Sequence, residues 1–338
     1  MQSLELLKKL CLARGVSGNE CEVRDIILKE IAPYADKTDV TPLGNIIAFK
    51  SGKKRAKTKL MLSAHMDEVG LVITHITDGG LLKFDTVGGI DKRVLPGKSV
   101  SLGTGVHGVI GAKPIHLLKK GEEGKSVPME DLYVDIGALS REEADKYVTP
   151  GDTVTFDSVF DMSHGMVKSR ALDDRAGCAI LIDLLKCDLE YDMTFVFTVQ
   201  EEVGLNGAKT AAYKVMPEAA IVAECTTAAD VPGTDNKVCS LGGGAAVSFI
   251  DRRTIYDKEY YNAAFKAAEK AKVKCQPKTA VAGGNDAGAI HSSGSGVRTA
   301  AVSIPCRYLH SAVGIISQKD FNSAEKIIKG LSNYIAGK

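Results

Sequence analysis

The sequence has no tryptophan, no Cys-x-x-Cys pair among its eight cysteines, and almost no net charge, with 43 Lys and Arg against 42 Asp and Glu. Each shortage removes a class of function. Without tryptophan, a sugar-binding cleft would lack its best stacking platform. Without paired thiols there is neither a thiolate zinc knot nor a disulfide framework. The cysteines at 11, 21, 178, 187, 225, 239, 275 and 306 are therefore expected to be reduced, most of them buried as small hydrophobes. A formal charge of +1 gives no overall drive toward nucleic acid or anionic lipid, so neither is expected as a partner. No segment approaches the roughly 18 apolar residues of a membrane span. The opening Met1-Gln2-Ser3-Leu4-Glu5 lacks the basic-then-apolar order of a signal peptide. A cytoplasmic address is the expectation.

What is present is an ordinary globular composition, 44% hydrophobic and 25% charged, over 338 residues. That length predicts two domains, or one large domain with an insertion. Ser17-Gly-Asn-Glu20 reads as a capping box, followed by Val23, Ile26, Ile27 and Ile31 at helical spacing until Pro33. Asn45 to Phe49 and Lys59 to Ala64 are apolar runs of strand length, and the second leads into His65-Met66-Asp67-Glu68. Between Gly70 and Gly151 lie 14 of the 34 glycines, with short alternating runs such as Leu71 to Ile76, Ser99 to Leu102 and Asp152 to Phe156. That texture predicts a small all-β unit. Helical periodicity then returns at Ala176 to Leu185, Lys258 to Lys272 and Phe321 to Ile335, among strands at Thr194 to Val199 and Ala219 to Ala223. The expected fold is α/β, a central mixed sheet flanked by helices, built from residues 1–66 and 165–338 and interrupted by a β insertion at 67–164.

Polar clusters stand at or near predicted strand ends and helix starts, where ligands bind in open α/β sheets: His65 with Asp67, Asp173-Asp174, Glu201-Glu202, Glu224 and His310. Imidazole and carboxylate without thiolate suit zinc, cobalt or manganese, and the inventory is large enough for two ions. His-x-Asp sets both side chains on one face of an extended backbone, so Asp67 can receive the His65 ring N–H and fix its tautomer. Adjacent Glu201 and Glu202 at a strand end can divide into a metal ligand and a free general base. Bland readings exist for each: Asp173-Asp174 could merely complement a helix N-terminus, Glu201-Glu202 could be a solvated turn, and His310 a hydrogen-bonded structural histidine. His75, His107, His116 and His164 sit in no ligand pattern and are expected to be structural.

The order of six motifs carries more than any one of them. Ser63-Ala-His-Met-Asp-Glu-Val-Gly70, Ala171-Leu-Asp-Asp-Arg-Ala-Gly177, Val199-Gln-Glu-Glu-Val-Gly204, Glu224-Cys-Thr-Thr-Ala-Ala-Asp230, Gly283-Gly-Asn-Asp-Ala-Gly-Ala-Ile-His291 and Arg307-Tyr-Leu-His-Ser311 span essentially the whole chain. Together they resemble the tetrahedral (TET-type) metallo-aminopeptidases, a family of glutamyl, leucyl and lysyl aminopeptidases that also carries cellulase M labels. The resemblance implies removal of the N-terminal residue from short peptides by an enzyme with two divalent metal ions per subunit. It makes Asp173 the bridging ligand, His65 and Glu224 ligands of one ion, Glu202 and His310 ligands of the other, and Glu201 the general base. At position 224 many relatives carry Asp, one methylene shorter. The resemblance also turns the β insertion into a dimerisation domain of barrel-like form, in a homo-oligomer whose dimers build a hollow dodecamer. Asp286, His291 and the adjoining Gly-rich turn are expected either to shape the active-site wall or to form a structural turn, and not to act as ligands. The rival readings are a glycoside hydrolase using paired carboxylates and a catalytically silent scaffold. The sequence leaves the specificity pocket open: Arg252 and Arg253 could attract an acidic side chain or equally be surface residues.

Overall fold

A computed structural model describes residues 2–121, 124–234 and 238–338. In chain order the first elements are helices α1 (Gln2–Leu12) and α2 (Cys21–Ile31) and strands β1 (Lys37–Val40), β2 (Ile46–Lys50) and β3 (Leu60–His65). Six strands follow: β4 (Gly70–Ile76), β5 (Leu82–Val87), β6 (Ser99–Leu102), β7 (His107–Gly111), β8 (Tyr133–Asp135) and, after short helix α3 (Arg141–Ala144), β9 (Thr153–Phe156). The chain then returns through β10 (Asp161–Ser163), β11 (Met166–Ser169), α4 (Leu172–Lys186), β12 (Met193–Thr198), α5 (Asn206–Val215) and β13 (Ala219–Thr227). The last elements are β14 (Ala245–Ser248), α6 (Lys258–Ala271), β15 (Cys275–Lys278), α7 (Ala287–Ile290), β16 (Arg298–Arg307), β17 (Gly314–Ser317) and α8 (Gln318–Ala336).

Eleven strands form one sheet in the order β1-β2-β12-β3-β13-β16-β17-β11-β10, with β14 beside β16 and β15 beside β14. At its centre β12, β3, β13 and β16 run parallel. Alternation along these strands divides the side chains between two cores, because successive residues of a strand face opposite sides. Leu60, Leu62, Ala64, Phe195, Phe197, Ile221 and Ala223 pack beneath α1, α2, α4, α6 and α8. Met61, Val196, Ala220 and Val222 pack on the other face with Ala208 and Ala211 of α5 and Ala287 and Ile290 of α7. The expected helix-flanked mixed sheet is therefore present.

The glycine-rich stretch closes into a six-stranded barrel, β4-β5-β8-β7-β6-β9. Leu71, Ile73, Val100, Val134, Val154 and Phe156 fill its interior. Closure removes the exposed strand edges that so short a sheet would otherwise present.

The capping box is a misreading. Glu20 stands at the N-cap of α2 with no side-chain capping bond, and its carboxylate instead accepts the N–H groups of Gly18 (2.7 Å) and Gln200 (3.2 Å). Ser17 donates to Asp67 Oδ2 at 2.6 Å. These residues serve the loops beneath the polar cluster, not the helix end. Helix α1, strand β16 and helix α5 were not legible in the sequence. Alanines carry most of the α5 interface, and β16 contains Pro305, a residue that argues against a central strand. All eight cysteines are free thiols, with five of them buried.

Candidate active site

The polar cluster forms where the parallel strands end. His65 is the last residue of β3, Glu224 lies toward the end of β13, Glu201 and Glu202 follow β12, Asp173 sits in the first turn of α4, and His310 follows β16. Several joints here take left-handed backbone outside glycine: Ala171 before Asp173, Gln200 and Leu205 on either side of the Glu pair, and Tyr308 and His310. Each costs on the order of 1–3 kcal/mol and persists only where surrounding structure enforces it. The turn after β12 is held by Asn45, whose amide donates to Gly207 O (3.1 Å) and whose carbonyl accepts Val199 N–H (3.1 Å).

Asp67 organises the centre. It is fully buried, and its Oδ1 and Oδ2 accept the backbone N–H groups of Glu201 (3.0 Å) and Glu202 (3.1 Å). His65 Nδ1 lies 3.1 Å from Asp67 O and 3.3 Å from Asp67 Oδ1. Both partners are acceptors, so Nδ1 carries the proton and Nε2 offers its lone pair. The expected carboxylate contact is present, with the main-chain carbonyl the nearer partner. His310 is oriented in the same way: its Nδ1 lies 3.0 Å from Gly89 O, again leaving Nε2 free. That carbonyl comes from the segment just after barrel strand β5. Gly88 beside it has φ +82°, and a Cβ there would come within 2.8 Å of Val69 and 3.3 Å of Glu202. Only glycine lets the barrel approach so closely.

The two free Nε2 atoms converge on one carboxylate. His65 Nε2 is 3.4 Å from Asp173 Oδ1 and 3.4 Å from Glu224 Oε1; His310 Nε2 is 3.5 Å from Asp173 Oδ2 and 3.2 Å from Glu202 Oε1. Burial works against charge on His310, yet Asp173 and Glu202 carry its pKa up to about 11. His65 is likewise raised, Glu224, Asp173 and Asp67 overcoming its burial. Burial would raise Asp173, but the His310 and His65 imidazoles beside it drive its pKa down. Burial raises Glu201 and Glu224, reinforced by neighbouring carboxylates.

This donor set fits divalent cations. Ligands about 2.0–2.1 Å from a tetrahedral ion lie roughly 3.4 Å from one another, the spacing observed here. Asp173 Oδ1 and Glu224 Oε2 are buried without a hydrogen-bond partner, as oxygens reserved for an ion would be. His65, Asp173 and Glu202 bring donor atoms within 4.8 Å of one another, as do His65, Asp174 and Glu224. Asp174 also accepts N–H groups from Gly177 (2.9 Å) and His65 (3.3 Å), so the helix-start reading of the Asp pair fits Asp174, while Asp173 faces the cluster.

A cavity of about 860 Å³ opens over the cluster, lined among others by Glu201, Thr226, Arg253, Lys278 and Asn285. Arg253 is on the lining and Arg252 is not. Gly283, Gly284 and Asn285 form part of the wall, but Asp286 and His291 do not. Asp286 lies buried behind it, accepting from Thr198 (2.6 Å) and Ser63 (3.2 Å), with its pKa pushed up to about 6 by burial. His291 turns back to the Ala287 carbonyl. His75, His107, His116 and His164 are exposed and away from the cluster.

One buried network went unread in the sequence. Glu68 pairs with Arg170 (3.0 Å) and Arg175 (3.3 Å). The two guanidiniums donate onward to the carbonyls of Leu10, Leu12 and Ala13, at and just beyond the C-terminal end of α1. This locks the residue after Asp67 to the loop before α4.

A parallel-centred sheet with a histidine and carboxylate cluster at its strand ends defines a metallohydrolase type of site. The chain belongs to the M42 glutamyl aminopeptidase family, whose model matches residues 44–327, and it is a metallo-aminopeptidase. It is similar to a TET aminopeptidase from a marine sediment archaeon of the Thaumarchaeota, at 35% identity and TM-score 0.93, covering 98% of this chain and 95% of that one. It is similar to the TET1 peptidase of Pyrococcus horikoshii, described as assembling into a tetrahedron or a large octahedral shell, at 37% identity and TM-score 0.87 over 99% of each chain. A Thermotoga maritima structure described as an endoglucanase matches at 37% identity and TM-score 0.81 over 96% of each chain. No helix among the described residues is long and apolar enough to cross a membrane.

Proposed function

We propose that this aminopeptidase removes single residues from the N-termini of short peptides at a centre that holds two divalent cations, zinc or cobalt with manganese as the alternative. Asp173 would be shared between them, His65 and Glu224 would hold one, and Glu202 and His310 the other. The observation that carries this reading is the span of Asp173, whose two oxygens each face a different imidazole at 3.4 and 3.5 Å. Bound cations supply the charge that polarises a scissile carbonyl and lowers the pKa of water.

The protein's own groups do the rest. Glu201 makes no side-chain hydrogen bond among the described residues, and its raised proton affinity suits a base that takes a proton from the attacking water and returns it to the leaving amine. Asp67 holds Glu201 and Glu202 in place through their backbone N–H groups. The carboxylates around the centre would bind the free α-amino group of the substrate, which makes acylated peptides poor substrates.

The barrel, with residues 67–164 as its unit, is proposed as the dimerisation domain. Exposed Ile115, Leu117 and Leu139 support packing between copies, and the relatives described as TET assemblies support a homo-oligomer, proposed as a dodecamer built from six dimers. A cytoplasmic location and the absence of nucleic-acid and membrane partners complete the reading.

The endoglucanase description of one similar structure favours a second reading, glycoside hydrolysis. Against it, Glu202 faces His310, and the two histidines would have no role. One experiment decides: chelator-stripped enzyme is offered aminoacyl-p-nitroanilides, N-acetylated controls and a soluble glucan, before and after adding zinc, cobalt or manganese. Metal-dependent release from the unblocked amides alone is expected. Glucan cleavage that ignores the chelator would overturn the proposal.

A further inference from the structure

One wall of the cavity carries a donor that is held in place yet has nothing to bond. Asn285 is only 3% exposed and lines the cavity beside Gly283 and Gly284. Its Oδ1 accepts Ala287 N–H at 2.9 Å, and the Tyr256 hydroxyl stands 3.2 Å from the same oxygen. Turning the amide over would set Nδ2 against Ala287 N–H, donor against donor, so Oδ1 stays on the protein side and Nδ2 is left to the cavity. Nδ2 makes no hydrogen bond among the described residues and is not sealed in the interior.

The mounting is firm on both sides. Asp251 holds Tyr256, accepting its hydroxyl on Oδ2 at 2.5 Å and the N–H groups of Arg253 and Thr254 on Oδ1, both at 2.8 Å. On the other side of Asn285, Asp286 is tied to Thr198 at 2.6 Å and to Ser63 at 3.2 Å. Thr198 pairs with His65 across β12 and β3 and stands three residues before Glu201. Asn285 is thus fixed beside the strand ends that supply a ligand and the base of the proposed centre.

The chemistry of the amide names its partner. Nδ2 donates and accepts nothing, so what it holds is an acceptor. The α-amino group of a peptide goes to the carboxylates. When the water oxygen, its proton taken by Glu201, bonds to the scissile carbonyl carbon, the π pair moves onto the carbonyl oxygen; collapse of that oxyanion expels the amine, which takes the proton back from Glu201. Thr226 and Ser303 also line the cavity, but a hydroxyl rotates about its C–O bond and accepts as readily as it donates. An amide held by its oxygen needs no reorganisation as the charge develops.

We propose that Asn285 is a further catalytic residue, whose Nδ2 donates to the oxygen of the scissile carbonyl and bonds more strongly to the oxyanion that forms there. The assignment rests on the aminopeptidase reading and adds to it a residue that stabilises the transition state.

The test uses the full-length, metal-loaded enzyme and its Asn285→Asp and Asn285→Ala variants. Asp keeps the oxygen that receives Ala287 N–H and puts an acceptor where the donor stood; Ala removes the donor without adding charge. With aminoacyl-p-nitroanilides, kcat is expected to fall about 100- to 1,000-fold in both, the usual loss for one oxyanion donor, with KM changed by less than about threefold. Calorimetric titration gives a readout that does not need turnover. The hydrate of an α-amino aldehyde presents a tetrahedral carbon like that of the intermediate, and the matching α-amino alcohol lacks one of its oxygens. The aldehyde should bind the wild-type enzyme more tightly than the alcohol, and lose that advantage in the variants while the alcohol binds as before. If Asn285→Ala does not fold, Asn285→Asp and the titration decide. Wild-type kcat in a folded variant, or equal weakening of aldehyde and alcohol, overturns the assignment while the peptidase stands. Failure of the wild-type enzyme to cleave any of these amides with any metal removes the peptidase reading and this assignment together.

Discussion

Replacing Asp67 with Asn keeps the shape of the side chain and exchanges one acceptor oxygen for an NH₂ group. Oδ1 receives Glu201 N–H and faces His65 Nδ1; Oδ2 receives Glu202 N–H and the Ser17 hydroxyl. With the NH₂ at Oδ1, Glu201 N–H loses its acceptor and the amide faces the His65 ring N–H donor against donor, although that ring keeps the main-chain carbonyl of residue 67. With it at Oδ2, the Ser17 hydroxyl can rotate and accept, but Glu202 N–H is stranded. The second orientation is therefore favoured, and an unsatisfied buried N–H costs about 1–3 kcal/mol. Neutralising the acceptor also weakens the remaining bonds, because charge-assisted bonds are roughly twice as strong as neutral ones. A total near 3 kcal/mol follows, shared between folding stability and the placement of the Glu pair. If most of it falls on placement, at about 1.4 kcal/mol per decade, kcat drops on the order of 100-fold. Steady-state kinetics should show that loss with KM changed by less than about threefold, alongside a lowered Tm. A variant with wild-type kcat and wild-type Tm would refute the claim that Asp67 organises this turn.

Glu201→Gln should retain metal and fold yet lose about 10²- to 10⁴-fold in kcat, the usual contribution of general acid–base catalysis; normal turnover would remove Glu201 from the mechanism. Asp173→Ala takes away the one carboxylate that faces both imidazoles, so elemental analysis should find the bound metal largely lost from both positions, and two ions per subunit in the purified variant would disprove the bridging role. Arg175→Met leaves Glu68 with one of its two guanidiniums and strips donors from the carbonyls at the end of α1. Breaking a buried pair costs about 3–5 kcal/mol, so the melting temperature should fall by several degrees in a calorimetric scan; a shift under about 1 °C would mean that the network adds little.

The residues expected at the centre were legible because strand ends are where side chains of an open α/β sheet can meet, and the local pattern shows where strands end. His65, Glu201 and Glu224 each close or follow an apolar run, and the structure brings them together with Asp173 and His310. The roles of Ser17 and Glu20 were misread because a capping pattern is local, whereas their partners, Asp67 and Gln200, lie 50 and 180 residues away. Asp286 shows the reverse error. Its motif is conspicuous beside the wall-forming Gly283 and Gly284, yet it stands just before α7 with its carboxylate turned behind the wall, to Ser63 and Thr198.

By itself the sequence determined the element types and the identity of the donors, because apolar periodicity and residue chemistry are properties of short stretches. It carried strands β2, β3, β12 and β13, the barrel's texture and the inventory of imidazole and carboxylate, though not β16. Tertiary structure alone decided how those groups are aimed and what lies opposite them. The Gly89 carbonyl that orients His310 comes from the barrel, 221 residues away in sequence. The Glu68, Arg170 and Arg175 network depends on three segments meeting in the interior. Asn285 is set apart from the other asparagines by its place in the cavity wall and by the Ala287 N–H that turns its amide. Burial and pairing arise from contacts between distant segments, and a one-dimensional pattern does not contain those distances.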